Sequence, residues 1–436
     1  MRFCAVLLGV ALSTSGALAQ GPDRAGTATF ASSDIQTAQL LMSNGRMDDA
    51  KRLLEHILVA RPDDSQSLFL LATIAVMQKD YDTAISLYRR ILVREPDVER
   101  VRLDLARAFF LKGDYDNADR QFRFARAGDV DDAVKRNIDQ FLSAINRLRE
   151  VTVNFSLALA PDTNQNAATS ASQVSIFGQP FALDPAARRQ SGIGVAGDIG
   201  GEWAPLLDDN MKARIGGDFS RVEYSGGQFD DMTLSVYGGP QWLYSNWDVS
   251  VLAVGFQRWY ANQDFLSGIG GKLAADYGIT SDFLIGASVG AQNLSNTFIP
   301  EQSGPLWSAQ VQGTYVISPS SLFQVQGGFN RQDAGSASYS YNGVWFGAGY
   351  QQDLPFGFSA GLQPSYYMTR YDAALAAFGR ARSDNTAMLA LTLLNRRFDF
   401  HGFTPRISWV YTDQHSNIAL YSYSRSQFQI GVTSLF

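Results

Sequence analysis

Apolar residues recur along this chain with two different periods, and the change from one to the other falls near residue 150. Between residues 34 and 149 the spacing is helical, as in Leu68, Leu71, Ala72 and Ala75, followed by Ala84, Leu87, Tyr88 and Ile91. The helical stretch also repeats itself. Ala38, Ala72 and Ala106 lie 34 residues apart, as do Ala50, Ala84 and Ala118, and Asp48, Asp82 and Asp116 hold the same register. Pro62 and Pro96 end the helix pairs, since proline cannot continue a helix. Alanine at fixed phases lets two helix axes approach closely. Residues 131–149 add a capping helix with Val134, Ile138, Phe141, Leu142 and Ile145 on one face.

Beyond Glu150 the period is 2. Phe356, Phe358, Ala360, Leu362, Tyr366 and Met368 alternate with Gly357, Ser359, Gly361, Gln363, Ser365 and Thr369, and Phe323, Val325 and Phe329 alternate with Gln324, Gln326 and Asn330. The polar face is Gln, Ser, Thr, Gly and Asn instead of charge. This is the pattern of strands with lipid outside, a polar or small-packed lumen inside and aromatic residues at the interfaces. Two packed soluble sheets are the alternative. Short breaks at 207–210, 245–246, 280–282, 318–320, 353–355 and 399–402 alternate with mostly longer ones at 162–190, 225–228, 261–263, 295–304, 331–338, 372–383 and 413–422. The segments between them number about fourteen, an even count that puts both barrel ends on one side. In the last strand Phe428, Ile430, Val432 and the final Phe436 share a face, while Gln429, Gly431 and Thr433 share the other. That strand must pair with the first, because lipid leaves no partner for an open sheet edge.

The chain starts with a targeting pattern: Arg2, an apolar run from Phe3 to Leu12, and Ala17-Leu18-Ala19 before Gln20. The expected organisation is a signal peptide over 1–19, a linker over 20–33, a helical repeat domain over 34–149 and a barrel over 150–436. The single cysteine, Cys4, lies in the signal, so no disulfide or Cys-ligated metal is expected.

Charge and chemistry narrow the function. The 436 residues carry a formal charge of −6, against nucleic acid as a main partner. Residues 1–150 hold 21 basic and 21 acidic side chains; the remainder hold 15 and 21, with Lys212 and Lys272 their only lysines. The arginines of the helical part (Arg89, Arg90, Arg94, Arg100, Arg102 and Arg107) read as a solvated face balanced by nearby acids. Arg214, Asp218, Arg221, Glu223, Arg258, Lys272 and Asp276 fall within strands, where lipid would penalise them. They are expected to face the lumen and pair across strands. His56, His401 and His415 have no metal-ligand spacing, and no Ser/His/acid arrangement can be assembled from sequence order. No catalytic site and no cofactor are expected.

The 34-residue helix–turn–helix unit resembles the tetratricopeptide (TPR) family. A short TPR unit followed by a barrel of about fourteen strands resembles the surface lipoprotein assembly modifier family over about Asp34 to Phe436. The most particular residues follow the first strand: Pro161-Asp162-Thr163-Asn164-Gln165-Asn166-Ala167 is similar to that family's Pro-Asp-(Ser/Thr)-Asn-x-Asn-(Asn)-Ala segment, with Ala167 here following Asn166 directly. Pro161, Asp162, Thr163, Asn164 and Asn166 are therefore candidates for a gating role, though the same residues also make an ordinary turn. The resemblance implies an outer-membrane translocator with its TPR domain in the periplasm. The TPR groove would capture a lipoprotein or soluble protein cargo, or its chaperone, and the barrel would provide passage. The barrel assembly machinery would read the terminal strand, Phe428, Ile430, Val432 and Phe436. A TPR-containing polysaccharide-export porin is the alternative.

Overall fold

The computed structural model describes residues 28–244, 246–398 and 403–434, with side chains from residue 33 onward. The expected signal peptide with Cys4, residues 399–402 with His401, and the terminal Phe436 lie outside the described residues.

Seven helices come first: α1 (Ala28–Ser43), α2 (Met47–Ala60), α3 (Ser65–Met77), α4 (Tyr81–Leu92), α5 (Glu99–Lys112), α6 (Tyr115–Arg126) and α7 (Asp132–Leu148). Aspartates set their starts. The carboxylates of Asp64, Asp80, Asp114 and Asp131 each accept from the amide three residues on, satisfying a first-turn donor that has no partner in the helix. The turn inside each repeat carries one left-handed residue, at Gly45 (φ 75°), Lys79 (φ 61°) and Gly113 (φ 85°). Two repeats use glycine there; Lys79 holds the same conformation against its own Cβ, at a cost of roughly 1–2 kcal/mol. All six phase alanines, Ala38, Ala50, Ala72, Ala84, Ala106 and Ala118, have no exposed surface. Around them Leu54, Leu68, Ile74, Tyr88, Ile91 and Phe122 form one continuous core. The α7 helix closes its end with Ile138, Leu142 and Ile145 buried and Phe141 stacked on Phe122 at 4.8 Å.

The strands are β1 (Val151–Asp162), β2 (Gln173–Ile176), β3 (Gln179–Ala182), β4 (Gly192–Trp203), β5 (Leu206–Asp208), β6 (Met211–Tyr224), β7 (Asp231–Leu243), β8 (Trp247–Tyr260), β9 (Gln263–Thr280), β10 (Phe283–Asn296), β11 (Gly304–Ser318), β12 (Ser321–Gln332), β13 (Tyr341–Asp353), β14 (Phe358–Leu375), β15 (Arg380–Asn395), β16 (Thr404–Ser416) and β17 (Tyr423–Thr433). Each stave pairs antiparallel with its neighbours, β1 pairs with both β17 and β4, and β4 pairs with β6. The ring is a closed barrel of fourteen strands. β2 and β3 form a separate hairpin in the first long loop, and β5 is a short addition beside β6.

The barrel turns its apolar residues outward. Val153, Ile193, Ile269, Val289 and Ile430 are exposed, whereas Ser156, Ala158 and Ala160 on the opposite face of β1 are buried in the interior. Phe283, Tyr315, Phe323 and Tyr350 are register neighbours on four consecutive strands, an aromatic row at the end where the helices sit, here called the near end. Among the described residues each expected break contains a turn or loop, the 162–190 break also holding the β2–β3 hairpin; the 399–402 break lies outside the described residues. The 372–383 break is shorter than expected: β14 and β15 extend to Leu375 and Arg380, and Gly379 (φ 64°) turns the chain.

Candidate functional site: the strand seam and the helical vestibule

Two places on the barrel depart from a plain cylinder. The first is the seam between β1 and β17. Their ladder runs from Ser156↔Thr433 to Leu159↔Ile430, skips Ala160 and Pro161, and resumes at Asp162↔Gln427. Pro161 has no amide to contribute. Gly431 lets the strands close, since a Cβ there would lie 1.9 Å from the Leu157 carbonyl oxygen. On the outer face Phe428, Ile430 and Val432 are exposed, and Thr433 faces inward and is buried.

At the far end of this seam the Pro-Asp-Thr-Asn-x-Asn residues become a clamp. Asp162, buried, accepts from Arg425 Nε and Nη2 of β17 at 2.9 and 2.6 Å and from the Tyr224 hydroxyl of β6 at 2.9 Å. Thr163 pairs with Ser426 in both directions, amide to carbonyl at 3.1 Å and hydroxyl from amide at 2.9 Å. Asn164 has no exposed surface; its Nδ2 donates to the carbonyls of Ser424 and Ala168, and its Oδ1 accepts from the Ala168 amide. Asn166 fastens the returning end of the loop, donating to Arg188 and accepting from Gln190. The two alternating asparagines thus tie the seam and the loop root together. From that root the β2–β3 hairpin reaches over to the β14–β15 turn, where the Phe177 amide donates to Ala377 at 2.7 Å.

The second place is the near-end mouth, where the helical unit is seated. Arg102 of α5 is the correction to the expected solvated arginine face: it is 2% exposed. Its Nη2 donates to Asp353 at the end of β13 (3.0 Å), Nη1 to Gln121 (2.8 Å) and Nε to the Pro96 carbonyl (3.0 Å). Burial pulls the Arg102 guanidinium below its ordinary pKa, with Asp353 opposing the shift. Asp353, 1% exposed at its side chain, also pairs with Arg396 and accepts from Ser359 at 2.9 Å. Further ties run from Arg126 to Asp282 (2.7 Å), Arg123 to the Ser281 carbonyl (3.1 Å), Asn146 to Asp248 and Lys212 to the Arg149 carbonyl (2.7 Å). The amide of Phe356 donates to the Val93 carbonyl. Others of the expected surface arginines keep solvated pairs, as Arg94 does with Asp63 and Arg100 with Asp104.

Between this seat and the lumen lies a cavity of about 1420 Å³. Residues of α4, α5 and α6 form one wall; Gln324, Gln351, Gln363 and Thr392 form the lumen wall; Thr152, Val153 and Ser434 bring in the near end of the seam. Deeper in the lumen, Arg214 pairs with Glu202 at 2.5 Å and Arg258 with Asp231 at 2.6 Å. Arg214, Lys272 and Asp276 line a smaller cavity of about 360 Å³. Glu202 and Asp231 were not singled out in the sequence, nor were Asp353, Arg396, Tyr224 and Arg425. Asp353 stood in a recognised turn, but nothing local announces a partner 251 residues away. Among the described residues no group of His, Cys, Asp and Glu could hold a metal ion, and no helix is long and apolar enough to cross a membrane.

A TPR α-solenoid seated on a closed antiparallel barrel with an apolar exterior defines an outer-membrane β-barrel protein. The family model described as "Surface lipoprotein assembly modifier" matches residues 152–436, and one described as "Surface lipoprotein assembly modifier, N-terminal TPR repeats" matches residues 56–122. The chain belongs to the surface lipoprotein assembly modifier family. It is 24% identical over 327 residues to Surface lipoprotein assembly modifier 2 of Haemophilus influenzae, a match covering 72% of this chain and 66% of that protein. Surface lipoprotein assembly modifier 1 of the same organism is 22% identical over 332 residues, again covering 72% of this chain and 66% of the relative. Among solved structures, the outer-membrane protein OmpT of Vibrio cholerae aligns with a TM-score of 0.36 at 9% identity, over 65% of this chain and 99% of that one.

Proposed function

We propose that the protein is an outer-membrane translocator that delivers a lipoprotein or soluble protein cargo to the cell surface, without catalysis. In this reading the signal peptide over 1–19 is removed, the TPR domain over 34–149 faces the periplasm, and the barrel over 150–436 provides the passage. The observation that carries it is the shared cavity: the helical groove opens onto the lumen and the near end of the β1–β17 seam. Cargo, or a periplasmic chaperone carrying it, is then concentrated where passage begins. The barrel assembly machinery would insert the barrel into outer-membrane lipid by reading the terminal strand. The family's name refers to surface lipoproteins, which supports that cargo class.

Deleting residues 34–149 tests the reading, because the helical unit has its own core and the barrel its own closed ring of strands. The barrel is expected to remain folded, with surface display of a protein encoded nearby falling sharply. A polysaccharide exporter would instead lose surface polymer and keep every surface protein. Intact display with polymer lost sinks the translocator reading.

A further inference from the structure

The cavity between the helices and the lumen is electrically lopsided. Arg89, Arg90, Lys112, Arg120, Arg396 and Arg397 line it, against three acids, Asp82, Asp114 and Asp116. Those acids are already engaged. Asp82 holds Lys112 at 2.6 Å, Asp116 holds Arg149 at 3.0 Å, and Asp114 caps the first turn of α6. Asp353 is taken by Arg102 and Arg396.

Arg120 is left over. Its Nε and Nη2 are shielded from solvent and meet no acceptor among the described residues, although the residue as a whole keeps partial exposure. The Phe124 ring, 5.6 Å from its guanidinium carbon, is a face contact and no acceptor. Burial, reinforced by repulsion from Arg396, pushes its pKa down to about 10. A shielded guanidinium of this kind is costly until a carboxylate or similar oxyanion meets it.

We propose that this cavity is a binding site for an acidic peptide segment, with a carboxylate of the segment accepting from Arg120. The assignment rests on the translocator reading and names the chemistry of what the vestibule holds. Size supports a chain segment, because about 1420 Å³ exceeds the roughly 300–1,000 Å³ of small-molecule pockets. The wall beyond favours peptide over an anionic polysaccharide. A polyanion in transit needs cations along its path, whereas the lumen side here is Gln324, Gln351, Gln363 and Thr392. Those uncharged amides and hydroxyls can hydrogen-bond a passing peptide backbone. The acidic stretch would thus be held at the entrance, ahead of a lumen whose Arg214 and Arg258 are already paired with Glu202 and Asp231.

The test uses the full chain in detergent micelles and fluorescein-labelled hexaglutamate, with hexaglutamine and a polysialic acid oligomer as comparisons. Hexaglutamate is expected to bind at least about tenfold tighter than hexaglutamine, and Arg120→Gln to remove about tenfold, the worth of one charge-assisted hydrogen bond. Arg120→Lys should restore part of the loss, and added salt should weaken binding throughout. If Arg120→Gln loses its folded, heat-modifiable barrel band, Lys112→Gln with Arg397→Gln carries the test with the same direction. Equal binding of the two peptides, undiminished hexaglutamate binding in the variants, or tighter binding of polysialic acid overturns the proposal. The two readings fail separately. Lost cargo display on deleting 34–149 with no hexaglutamate binding removes the acidic-segment site and keeps the translocator; binding with intact display does the reverse.

Discussion

The helical unit and the barrel solve opposite solvent problems with the same apolar residue types. In the helices Leu54, Ala72 and Ile138 have no exposed surface, and the charged residues lie around them. In the barrel Ile269 is 73% exposed and the interior of β1 is Ser156, Ala158 and Ala160. One core is held by removing apolar surface from water, the other by a ring of backbone hydrogen bonds that leaves no edge for lipid to meet. Where the two meet, neither rule suffices. The junction is instead built from buried polar ties, with Asp353 between Arg102 and Arg396 at its centre. A joint of this kind is specific in register yet separable, because each side keeps its own core.

Breaking the joint is the largest expected effect. Asp353→Ala leaves Arg102 and Arg396 facing each other without a counter-charge. Removing one partner of a buried pair costs about 3–5 kcal/mol. Amide hydrogen exchange in α5 and in the 354–357 turn should rise steeply, while the barrel keeps its heat-modifiable band. A change worth less than about 1 kcal/mol would show that the helical unit is held by its other ties.

The contrast between the two solvents is sharpened by placing a charge at matched apolar sites. Val289, exposed in the middle of β10, is expected to resist arginine by about 2–4 kcal/mol in a lipid bilayer, since it would face hydrocarbon. An arginine at the still more exposed Val59 of α2 should cost next to nothing. Equal tolerance at both sites, measured as folded yield in liposomes, would refute the assignment of the barrel's outer face to lipid.

Much of this architecture was legible because it is local or periodic. The 34-residue recurrence of alanine and the two-residue alternation after Glu150 both report which face of an element is covered, and Ala38 through Ala118 occupy the buried positions such a repeat requires. Breaks were legible for the same reason, through Asp, Asn, Ser and Pro at turns. Pairings between distant residues were not. Arg102 looks like any helix-surface arginine until the β13 turn is brought against it, and Arg120 differs from Arg123 only in what surrounds it. The Pro161–Asn166 segment was visible as a motif, but its partners Arg425, Tyr224 and Ser424 are set by barrel closure, which no local spacing encodes.

The smallest effect tests whether the seam is weaker than the other strand junctions. The β1–β17 ladder skips Ala160 and Pro161, while β1–β4 pairs residue by residue from Val151↔Trp203 to Asp162↔Gly192. Side chains of the clamp therefore hold the far end of the seam where backbone bonds are fewer. Asn164→Ala removes two donated bonds and one accepted bond from a fully buried site and strands the Ser424 carbonyl. A loss of about 1–3 kcal/mol is expected for the group left unsatisfied. That loss should appear locally, as faster exchange of the Ser424 and Ser426 amides, with β10 and β11 unchanged on the opposite side of the ring. A cross-link between cysteines at Leu159 and Ile430, register partners on the outer face, should then restore protection without restoring the asparagine. If exchange rises evenly around the barrel, Asn164 supports the fold as a whole and the clamp has no special claim on the seam.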